Sequence, residues 1–323
     1  MPADVLVVSL GTTAGLRAME EQLAGSLRRA GASVAVARAR AVREVRTFAL
    51  TDLLQAREAS RVARRGLAEH RPRAVVYSGS TAALLWPRPG AIHFDAPAAA
   101  NRPGRHGIWQ RPLERRRFAQ APVVAAWSTA GLAEAPSHRE GLVVPFAVEP
   151  SGPAPGQRDI AAVTYAADPH KKGLDRVLDA WSRARRAGET LVVTGRGSGP
   201  RREGIQWAAL SAPGEFRALL RRARLFLTAP RREDYGITQL EALAEGCLLV
   251  TAPAPGPYVA LPIARRLDPR LVAGDLAPAI RAGLDDPAPG YAERAAQALA
   301  PYRRDRVDAV VAQQLLPRLL ARD

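Results

Sequence analysis

Two glutamates, Glu233 and Glu241, stand eight positions apart on either side of a glycine, Gly236. The apolar run at 223–230 before them is typical of a buried strand that ends at a proline, and an amphipathic helix is predicted from Gly236 onward. One carboxylate is then expected at the mouth of a crevice, and the other one turn into the helix. The helix N–H groups between them attract phosphate. This arrangement suits a sugar that is joined to a nucleotide diphosphate.

A second candidate is the cluster His170-Lys171-Lys172-Gly173, which follows a predicted strand at 160–165. Only two of the chain's 47 Lys and Arg residues are lysines, and these two are adjacent. In a chain that otherwise uses arginine, this choice favours a need for a compact point charge. A solvated basic loop is the alternative interpretation.

The elements of the first half are those of a parallel α/β domain. A strand at 4–10 is followed by a loop from Gly11 to Gly15, a helix over 16–30 and a second strand at 33–38. The two glycines either let this loop approach a ligand closely or only make the strand-to-helix turn tight. Their spacing is too loose for a dinucleotide fingerprint. Further strands are predicted at 74–77, 90–94, 123–127 and 142–145.

The second half repeats this order after a linker at 149–157 that is rich in proline and glycine. A strand at 160–165 leads to a helix over 174–187 and to a strand at 190–194. Helix and strand then alternate through Val250. The end of the chain is predicted to be helical over 291–321 and to be broken by Pro301 and Pro317.

Two such halves predict an α/β protein with two Rossmann-like domains that face a central cleft. We place the N-terminal domain at 1–150, the C-terminal domain at 151–290 and a C-terminal helical segment at 291–323. Ligands are expected at the carboxyl ends of the parallel strands.

The segment 231–246 resembles the Glu-x7-Glu signature of family 4 glycosyltransferases, which are retaining enzymes with the GT-B fold. The resemblance implies that Glu233 contacts the donor sugar and that Glu241 binds the ribose hydroxyls. It also implies that the segment between the glutamates holds the donor's phosphate, at Tyr235, Gly236, Ile237 and Thr238.

The Lys-Gly pair at 172–173 resembles the same family's lysine that neutralises the leaving diphosphate, so Lys172 is expected to stabilise the charge that develops there. That family carries an arginine six residues earlier, where this chain has Ala166. Either Lys171, His170 or an arginine from elsewhere would then supply the second charge, or the donor would be bound more weakly. Arg196 is one candidate, and its alternative interpretation is an exposed loop arginine.

The resemblance also implies that the first domain is the acceptor side and that the second domain binds the nucleotide sugar. The family often places a His, or a His-Asp pair, near the strand at 90–94 to contact the transferred sugar, and His93 and Asp95 are the residues here. A structural histidine is the alternative. The last helix of the fold often crosses back onto the first domain, and the same is expected of 291–323. The loop 251–258 departs from the family because three prolines stiffen it.

The composition limits the class of protein. A chain of 323 residues with 47% hydrophobic residues suits two globular domains. No apolar run approaches the ~20 residues of a membrane-spanning helix, and the first residues are predicted to form a strand and not a signal peptide. The single cysteine, Cys247, fits a reducing cytoplasm and is expected to be a buried, inert thiol.

The net charge of +16 favours phosphorylated ligands or contact with anionic lipid. No zinc-ligand spacing and no nucleic-acid-binding motif accompanies it, so no specific nucleic-acid binding is expected. We expect a cytoplasmic protein, with peripheral contact at the inner face of the membrane as an open alternative.

The function implied by the resemblance is sugar transfer with retention of the anomeric configuration. The donor would be of the UDP or GDP type, and the acceptor a glycan, a lipid-linked molecule or a small molecule. No cofactor and no metal is expected, because Asp285-Asp286 has no third ligand beside it. A GT-B sugar-nucleotide epimerase or phosphorylase and a non-catalytic basic binding protein are the alternatives.

Overall fold

The chain forms two compact units. In the computed structural model the described residues are 2–42, 45, 47–102, 104–152, 156–195, 197–210 and 212–321. One unit comprises Met1–Ala147 together with Arg304–Asp323, and the other comprises Val148–Arg303. Each unit contains its own parallel sheet with helices, which confirms the predicted α/β class.

The first unit is built on six parallel strands in the order β2-β1-β3-β4-β5-β6. The strands are β1 (Val5–Ser9), β2 (Val34–Arg38), β3 (Ala74–Ser78), β4 (Ala91–Phe94), β5 (Val124–Ala126) and β6 (Gly141–Val143). The helices of this part are α1 (Ala14–Arg29), α2 (Phe48–His70), α3 (Ser80–Ala83), α4 (Ala98–Asn101), α5 (Gln110–Gln120) and α6 (Thr129–Ala133), with a 3-10 turn at Gly104–Gly107.

The second unit is built on five parallel strands in the order β11-β10-β7-β8-β9. The strands are β7 (Ile160–Tyr165), β8 (Leu191–Thr194), β9 (Ile205–Ala208), β10 (Ala223–Thr228) and β11 (Leu248–Thr251). The helices are α7 (Leu174–Ala184), α8 (Pro213–Arg222), α9 (Ile237–Ala244), α10 (Ala260–Leu267), α11 (Leu276–Asp285) and α12 (Tyr291–Ala298), with 3-10 turns at Pro269–Leu271 and Ala300–Tyr302.

The last helices return to the first unit. They are α13 (Arg304–Val310), a π-helical turn at Val311–Leu315 and α14 (Leu316–Leu320). Four apolar residues of this stretch, each four positions after the one before, are buried in the first unit's core, because side chains four apart lie on one helix face. They are Val307, Val311, Leu315 and Leu319. The chain continues as a helix across Pro317, so the predicted break there is wrong: the π turn precedes the proline, whose missing N–H falls in the first turn of α14.

Two predicted helix boundaries in the units also need correction. The helix α1 begins at Ala14 and not at 16, because the Thr13 side chain accepts a hydrogen bond of 3.1 Å from the Leu16 N–H and so caps the helix. Gly15 therefore lies in the first helical turn and not in the loop. The helix α7 ends at Ala184, three residues earlier than predicted, because the backbone at Arg185 is extended.

The order of the second sheet creates a switch point between β7 and β10. From β7 the chain builds outward through β8 to β9, and it then returns to the other side of β7 as β10 and β11. In a doubly wound sheet the loops after two such central strands diverge and leave a crevice at the carboxyl edge, where ligands bind. The loops with Lys172 and Glu233 are these two loops.

Candidate functional site

The centre of the candidate site is an ion pair between the two loops at the switch point. Lys172 Nζ lies 2.7 Å from Glu233 Oε2, and both side chains are largely shielded from solvent. The side chain of Gln239 in α9 donates a second hydrogen bond of 2.9 Å to the same carboxylate oxygen. The structure thus brings together two residues that are 61 positions apart in the sequence and that were predicted for one site.

The loop with Lys172 is shaped by its own turn. Asp168 accepts a hydrogen bond of 2.9 Å from the Lys171 N–H through its side chain and one of 2.9 Å from the Lys172 N–H through its carbonyl. This is the local bonding typical of an Asp-initiated turn. Gly173 has φ +64°, and a Cβ built there would lie 1.9 Å from the Ala229 carbonyl oxygen. Glycine therefore lets this loop pack directly on the end of β10.

The loop with Glu233 is tied to its neighbours on both sides. The Arg231 N–H donates to the Lys171 carbonyl at 2.9 Å, and the Glu233 N–H donates to the Pro255 carbonyl at 3.1 Å. The proline-rich loop 251–258, which departs from the family pattern, thus fixes the backbone of Glu233. The Arg231 guanidinium also pairs with Asp175 at 2.6 Å at the start of α7.

A second pair of charges lies beside the first. Asp234 accepts from Lys171 Nζ at 2.7 Å and from Arg232 Nε at 2.8 Å. Burial alone would raise the pKa of Asp234, but the two cations outweigh burial and hold it below its usual value. Neither Asp234 nor Arg232 was singled out from the sequence, although both adjoin Glu233. The site therefore contains three adjacent ion pairs, Lys172–Glu233, Lys171–Asp234 and Arg232–Asp234.

The helix α9 starts at this point. Gly236 precedes its first residue with φ +93°, and a Cβ there would lie 3.0 Å from the Tyr258 ring, so the turn into the helix is close to that ring. Ile237 and Thr238 form the first turn and are half-buried, whereas Tyr235 is buried and its carbonyl accepts from the Val259 N–H at 3.1 Å. The predicted phosphate segment thus leads into the first turn of a helix.

Glu241 lies one turn into α9, as predicted, and it has a partner that the sequence did not indicate. Its Oε1 is 3.4 Å from Arg217 Nη1 on α8. Burial raises the pKa of Glu241, and the positive charge of Arg217 opposes that rise. Arg217 also donates to Glu245 at 2.7 Å. Its position in α8 is a helix-face position like many others, so no sequence signal separates it from a surface arginine.

Ala166 stands where the family has an arginine, and Arg196 was one candidate to replace that charge. Ala166 is buried at the end of β7, and its N–H donates to the Thr194 carbonyl at 2.8 Å. Arg196 lies outside the described residues. The cations that do come together at the site are Lys171, Lys172 and Arg232.

The other site residues predicted from the sequence belong to the first unit. Gly11 follows β1, and Gly15 lies in α1. His93, on β4, is fully buried; its Nε2 is 3.5 Å from the Val144 carbonyl oxygen, and burial lowers its pKa to about 4. Its imidazole is therefore neutral near pH 7. Asp95 comes directly after β4 and accepts from the Ala96 N–H at 2.8 Å.

A buried carboxylate beside Gly11 was not predicted. Glu20 of α1 accepts hydrogen bonds from the Ser9 hydroxyl and from the N–H groups of Leu10, at 3.0 Å, and Gly11, at 3.2 Å. Burial raises the pKa of Glu20, and these donors oppose the rise. Beside it lies a cavity of about 310 Å³ that is also lined by Arg17. The amphipathic pattern of α1 gave no sign that a glutamate would face inward.

The single cysteine and the possible metal ligands can now be located. Cys247 is fully buried, and burial raises its pKa to about 12, as expected for an inert thiol. Within the described ranges, no three His, Cys, Asp or Glu side chains come together as a metal site requires.

Comparison with known proteins finds one family model that matches part of the second unit. Residues 157–286 match the family model described as Glycosyl transferases group 1. The matched region runs from before β7 to the end of α11, so it contains both loops of the site and α9. No curated protein sequence matches the chain significantly.

Several solved structures share the fold of the whole chain. WaaG, a glycosyltransferase involved in lipopolysaccharide biosynthesis, aligns with a TM-score of 0.73 and 15% identity over 98% of this chain and 100% of its own. A sucrose-phosphate synthase from Thermosynechococcus elongatus aligns with a TM-score of 0.76 and 13% identity over 96% of this chain and 98% of its own. Anabaena HepE, in complex with UDP and glucose, aligns with a TM-score of 0.69 and 14% identity over 97% of this chain and 99% of its own.

The chain therefore has the fold of the GT-B glycosyltransferases, and residues 157–286 match the glycosyl transferases group 1 model. The predicted fold and the predicted resemblance to this class are confirmed. The family 4 subtype and the retention of configuration stay predictions.

Proposed function

We propose that this protein is a retaining glycosyltransferase that uses a nucleotide-diphosphate sugar. The observation that carries the proposal is the Lys172–Glu233 pair, with 2.7 Å between Nζ and Oε2, at the switch point directly before α9. A cation, a carboxylate and a helix N-terminus in one place suit a diphosphate with a sugar attached to it. The group 1 match over the same residues supports this interpretation.

The main candidate residues of the second unit then have separate roles. The diphosphate binds at Lys172 and at the first turn of α9, around Gly236, Ile237 and Thr238. Glu233 orients the sugar, and Glu241 binds the ribose hydroxyls. Lys172 stabilises the negative charge that grows on the diphosphate as the glycosidic bond breaks.

The mechanism we propose has no covalent intermediate on the enzyme. The acceptor hydroxyl attacks the anomeric carbon on the face from which the diphosphate departs, and the diphosphate takes the hydroxyl proton. The new glycosidic bond then has the configuration of the old one. His93 and Asp95 of the first unit are proposed to contact the transferred sugar, and Gly11 to border its site; the burial of His93 is the argument against its part in this.

The second positive charge at the diphosphate is proposed to come from Lys171 or Arg232, since Ala166 has none to offer. Both cations already share Asp234, at 2.7 and 2.8 Å. A donor phosphate would compete with that carboxylate for them. Arg196 stays a further candidate for this charge.

The donor base is proposed to be uracil, because the neighbours HepE and the pneumococcal O-GlcNAc transferase GtfA have been crystallised with UDP. GDP is the alternative. We further propose that transfer needs no metal ion and takes place in the cytoplasm. Activity that survives a chelator, and NMR of the fresh product that shows the donor's anomeric configuration, are the expected results.

The first test is donor binding, measured as a thermal shift with UDP, GDP, ADP and their common sugar conjugates in the absence of metal. A ligand at 100 times its Kd stabilises the folded state by about 2.7 kcal/mol, which raises Tm by several degrees. We expect one nucleotide to give this rise and Glu241→Ala to lose most of it. Glu293→Ala, which removes an exposed carboxylate on α12, is the matched control and should keep it.

The remaining outcomes decide between the alternatives. A folded wild type that responds to no nucleotide would contradict the proposal and favour the non-catalytic basic binding protein. The loss of donor binding would then be attributed to Ala166, which stands where the family has an arginine. A nucleotide-selective shift without transfer, but with an epimerised or phosphorolysed sugar, would assign the site to the epimerase or phosphorylase class.

A further inference from the structure

Arg217, on α8, contacts three groups that come from two other parts of the second unit. Its Nε donates to Glu245 Oε1 at 2.7 Å, at the end of α9, and its Nη1 donates to Glu241 Oε1 at 3.4 Å, within α9. The guanidinium also donates to the Glu149 carbonyl. Only 15% of the Arg217 side chain is exposed to solvent. A planar guanidinium that is bonded at three points is held in one orientation.

The backbone by which the chain enters the second unit supports this arginine. The unit begins at Val148, and we call residues 148–152 the entry segment. The Ser151 N–H donates at 2.9 Å to Glu245 Oε1, the same oxygen that accepts from Arg217 Nε. Glu245 is buried, and a buried carboxylate needs such donors because taking its charge out of water is costly. The entry segment therefore bonds both to Arg217 and to the carboxylate that anchors it.

Glu241 in turn depends on Arg217 for its charge. Burial raises the pKa of Glu241, Arg217 opposes that rise, and the negative charge of Glu245 adds to it. An ionised carboxylate can accept hydrogen bonds from two hydroxyl groups, whereas a protonated one turns one of its oxygens into a donor. Arg217 therefore favours the form of Glu241 that suits a pair of hydroxyls.

The main elements that pack on α9 are α8, β11 and α12, and their other ionisable side chains face other groups. Arg221 of α8 lies beside the entry segment. On α12, Arg294 donates to the Leu267 carbonyl at 3.2 Å, and the Tyr291 hydroxyl accepts from the Leu249 N–H at 3.2 Å. The exposed ionisable residues here are Glu149 in the entry segment, Glu215 and Arg222 on α8, and Glu293 on α12.

We propose that Arg217 is a positioning residue for the ribose of the donor, which holds Glu241 in place and is itself held by Glu245 and the entry segment. Arg217 does not touch the donor in this assignment and acts through Glu241. The assignment rests on the proposed function, in which Glu241 binds the ribose hydroxyls. Because Arg217 meets one carboxylate oxygen of Glu241, it fixes the rotation of that carboxylate toward the hydroxyls.

Calorimetry with UDP and with 2′,3′-dideoxy-UDP measures this role, or the corresponding GDP pair if GDP gives the thermal shift. The wild type should bind UDP about 10-fold to 100-fold more tightly, because hydrogen bonds to a charged carboxylate are strong. Arg217→Gln should lose most of this ratio, while its affinity for the dideoxy compound stays close to that of the wild type. A residue that only stabilises the fold would change both affinities alike.

The pH dependence of the same ratio is a second readout. In Arg217→Gln the pKa of Glu241 should rise further, since burial and Glu245 then act without the opposing cation. The ratio should therefore be smallest at low pH, where Glu241 is protonated, and should increase as the pH rises from about 6 to 9. The wild type and Arg217→Lys, which keeps the charge, should stay flat. Titration of the phosphate affects both nucleotides and cancels in the ratio. A ratio that falls with rising pH in Arg217→Gln would overturn the assignment.

Two further variants separate positioning from stability. Arg217→Gln leaves the buried carboxylate of Glu245 without its cation and should lower Tm. Arg217→Gln combined with Glu245→Gln removes that charge and should recover most of the Tm, while the preference for UDP stays lost. Recovery of the ratio together with Tm would make Arg217 structural only. The matched control is Arg222→Gln, which removes the ion pair of α8 with Asp159 and should keep the wild-type ratio.

Failure of this assignment and failure of the proposed function give different results. A folded wild type that binds neither nucleotide would overturn the proposed function, and the role of Arg217 with it. A preference for UDP that persists in Arg217→Gln and in the double variant would overturn the role of Arg217 alone and leave the donor site in place. Equal loss of the preference in Arg222→Gln would also overturn the role of Arg217, because any lost ion pair of α8 would then have the same effect.

Discussion

At the residue scale, the Lys172–Glu233 pair decides whether the site is catalytic. Lys172→Met should lower kcat by about 100-fold or more and change the donor KM much less, because the ammonium acts on charge that develops in the transition state. Steady-state kinetics with the donor found by thermal shift measures both constants. Lys172→Arg keeps the charge and should recover part of the loss.

The same pair is also structural, so its stability must be measured alongside. Removing Lys172 leaves a buried carboxylate without its cation, which is strongly destabilising. Lys172→Met combined with Glu233→Gln should recover most of that stability while turnover stays low. If turnover returned together with stability, Lys172 would be a structural residue only.

The residues found from sequence and those missed differ in where their partners come from. Lys172, Glu233 and Gly236 follow strand ends, so the order of elements alone predicts one common edge. The Arg217–Glu241 contact joins two helices across 24 positions, and inward-facing Glu20 shares its helix with other charged residues. Such contacts depend on the packing of helix faces, which a single sequence does not specify.

At the element scale, Gly173 tests how the two loops of the site are held together. Gly173→Ala forces a residue with φ +64° to carry a Cβ, which would meet the Ala229 carbonyl oxygen at 1.9 Å. Strain of this kind costs about 1–3 kcal/mol or displaces the loop. We expect a lower midpoint of urea unfolding and weaker nucleotide binding.

The control for this glycine is Gly188→Ala. Gly188 also has a positive φ, +82°, but a Cβ there would have no atom within 4 Å. It therefore carries the backbone cost without the clash. Equal losses of stability and equal donor affinity in the two variants would mean that the contact with Ala229 does not hold the loop.

Element positions were predicted best where hydrophobic runs are flanked by glycine or proline. The strands β7 and β10 and the start of α9 follow from such patterns, whereas α1 begins two residues early because the Thr13 cap outweighs Gly15 in the first turn. The helix continues through Pro317 because the preceding π turn accommodates the proline. Caps and turns of this kind depend on bonds that a propensity pattern does not contain.

At the scale of the whole molecule, the cations that produce the net positive charge lie in different surroundings. Many arginines are paired within the fold, such as Arg183 with Asp275 at 2.8 Å and Arg186 with Asp285 at 2.9 Å. At the candidate functional site three cations, Lys171, Lys172 and Arg232, pair with carboxylates. The charge of +16 indicated anionic ligands, but only the fold shows which cations lie together.

The return of the last helices to the first unit leads to a prediction about the whole chain. Leu315 is fully buried in the core that also contains Val7 and Val76 of the first sheet. Leu315→Ala should cost about 2–5 kcal/mol of stability, seen as a lower Tm, because it leaves a cavity there. Gln314→Ala, one residue away and exposed, is the control and should change Tm little.

Nucleotide binding distinguishes the two units in this experiment. The proposed contacts to the nucleotide and its diphosphate, from Lys172 to Glu241, lie in the second unit. Leu315→Ala should therefore keep the wild-type Kd for the nucleotide by calorimetry at a temperature where the variant is folded. A Kd that weakens in step with the loss of stability would mean that the donor site depends on the core of the first unit. An unchanged Kd would assign nucleotide recognition to the second unit alone.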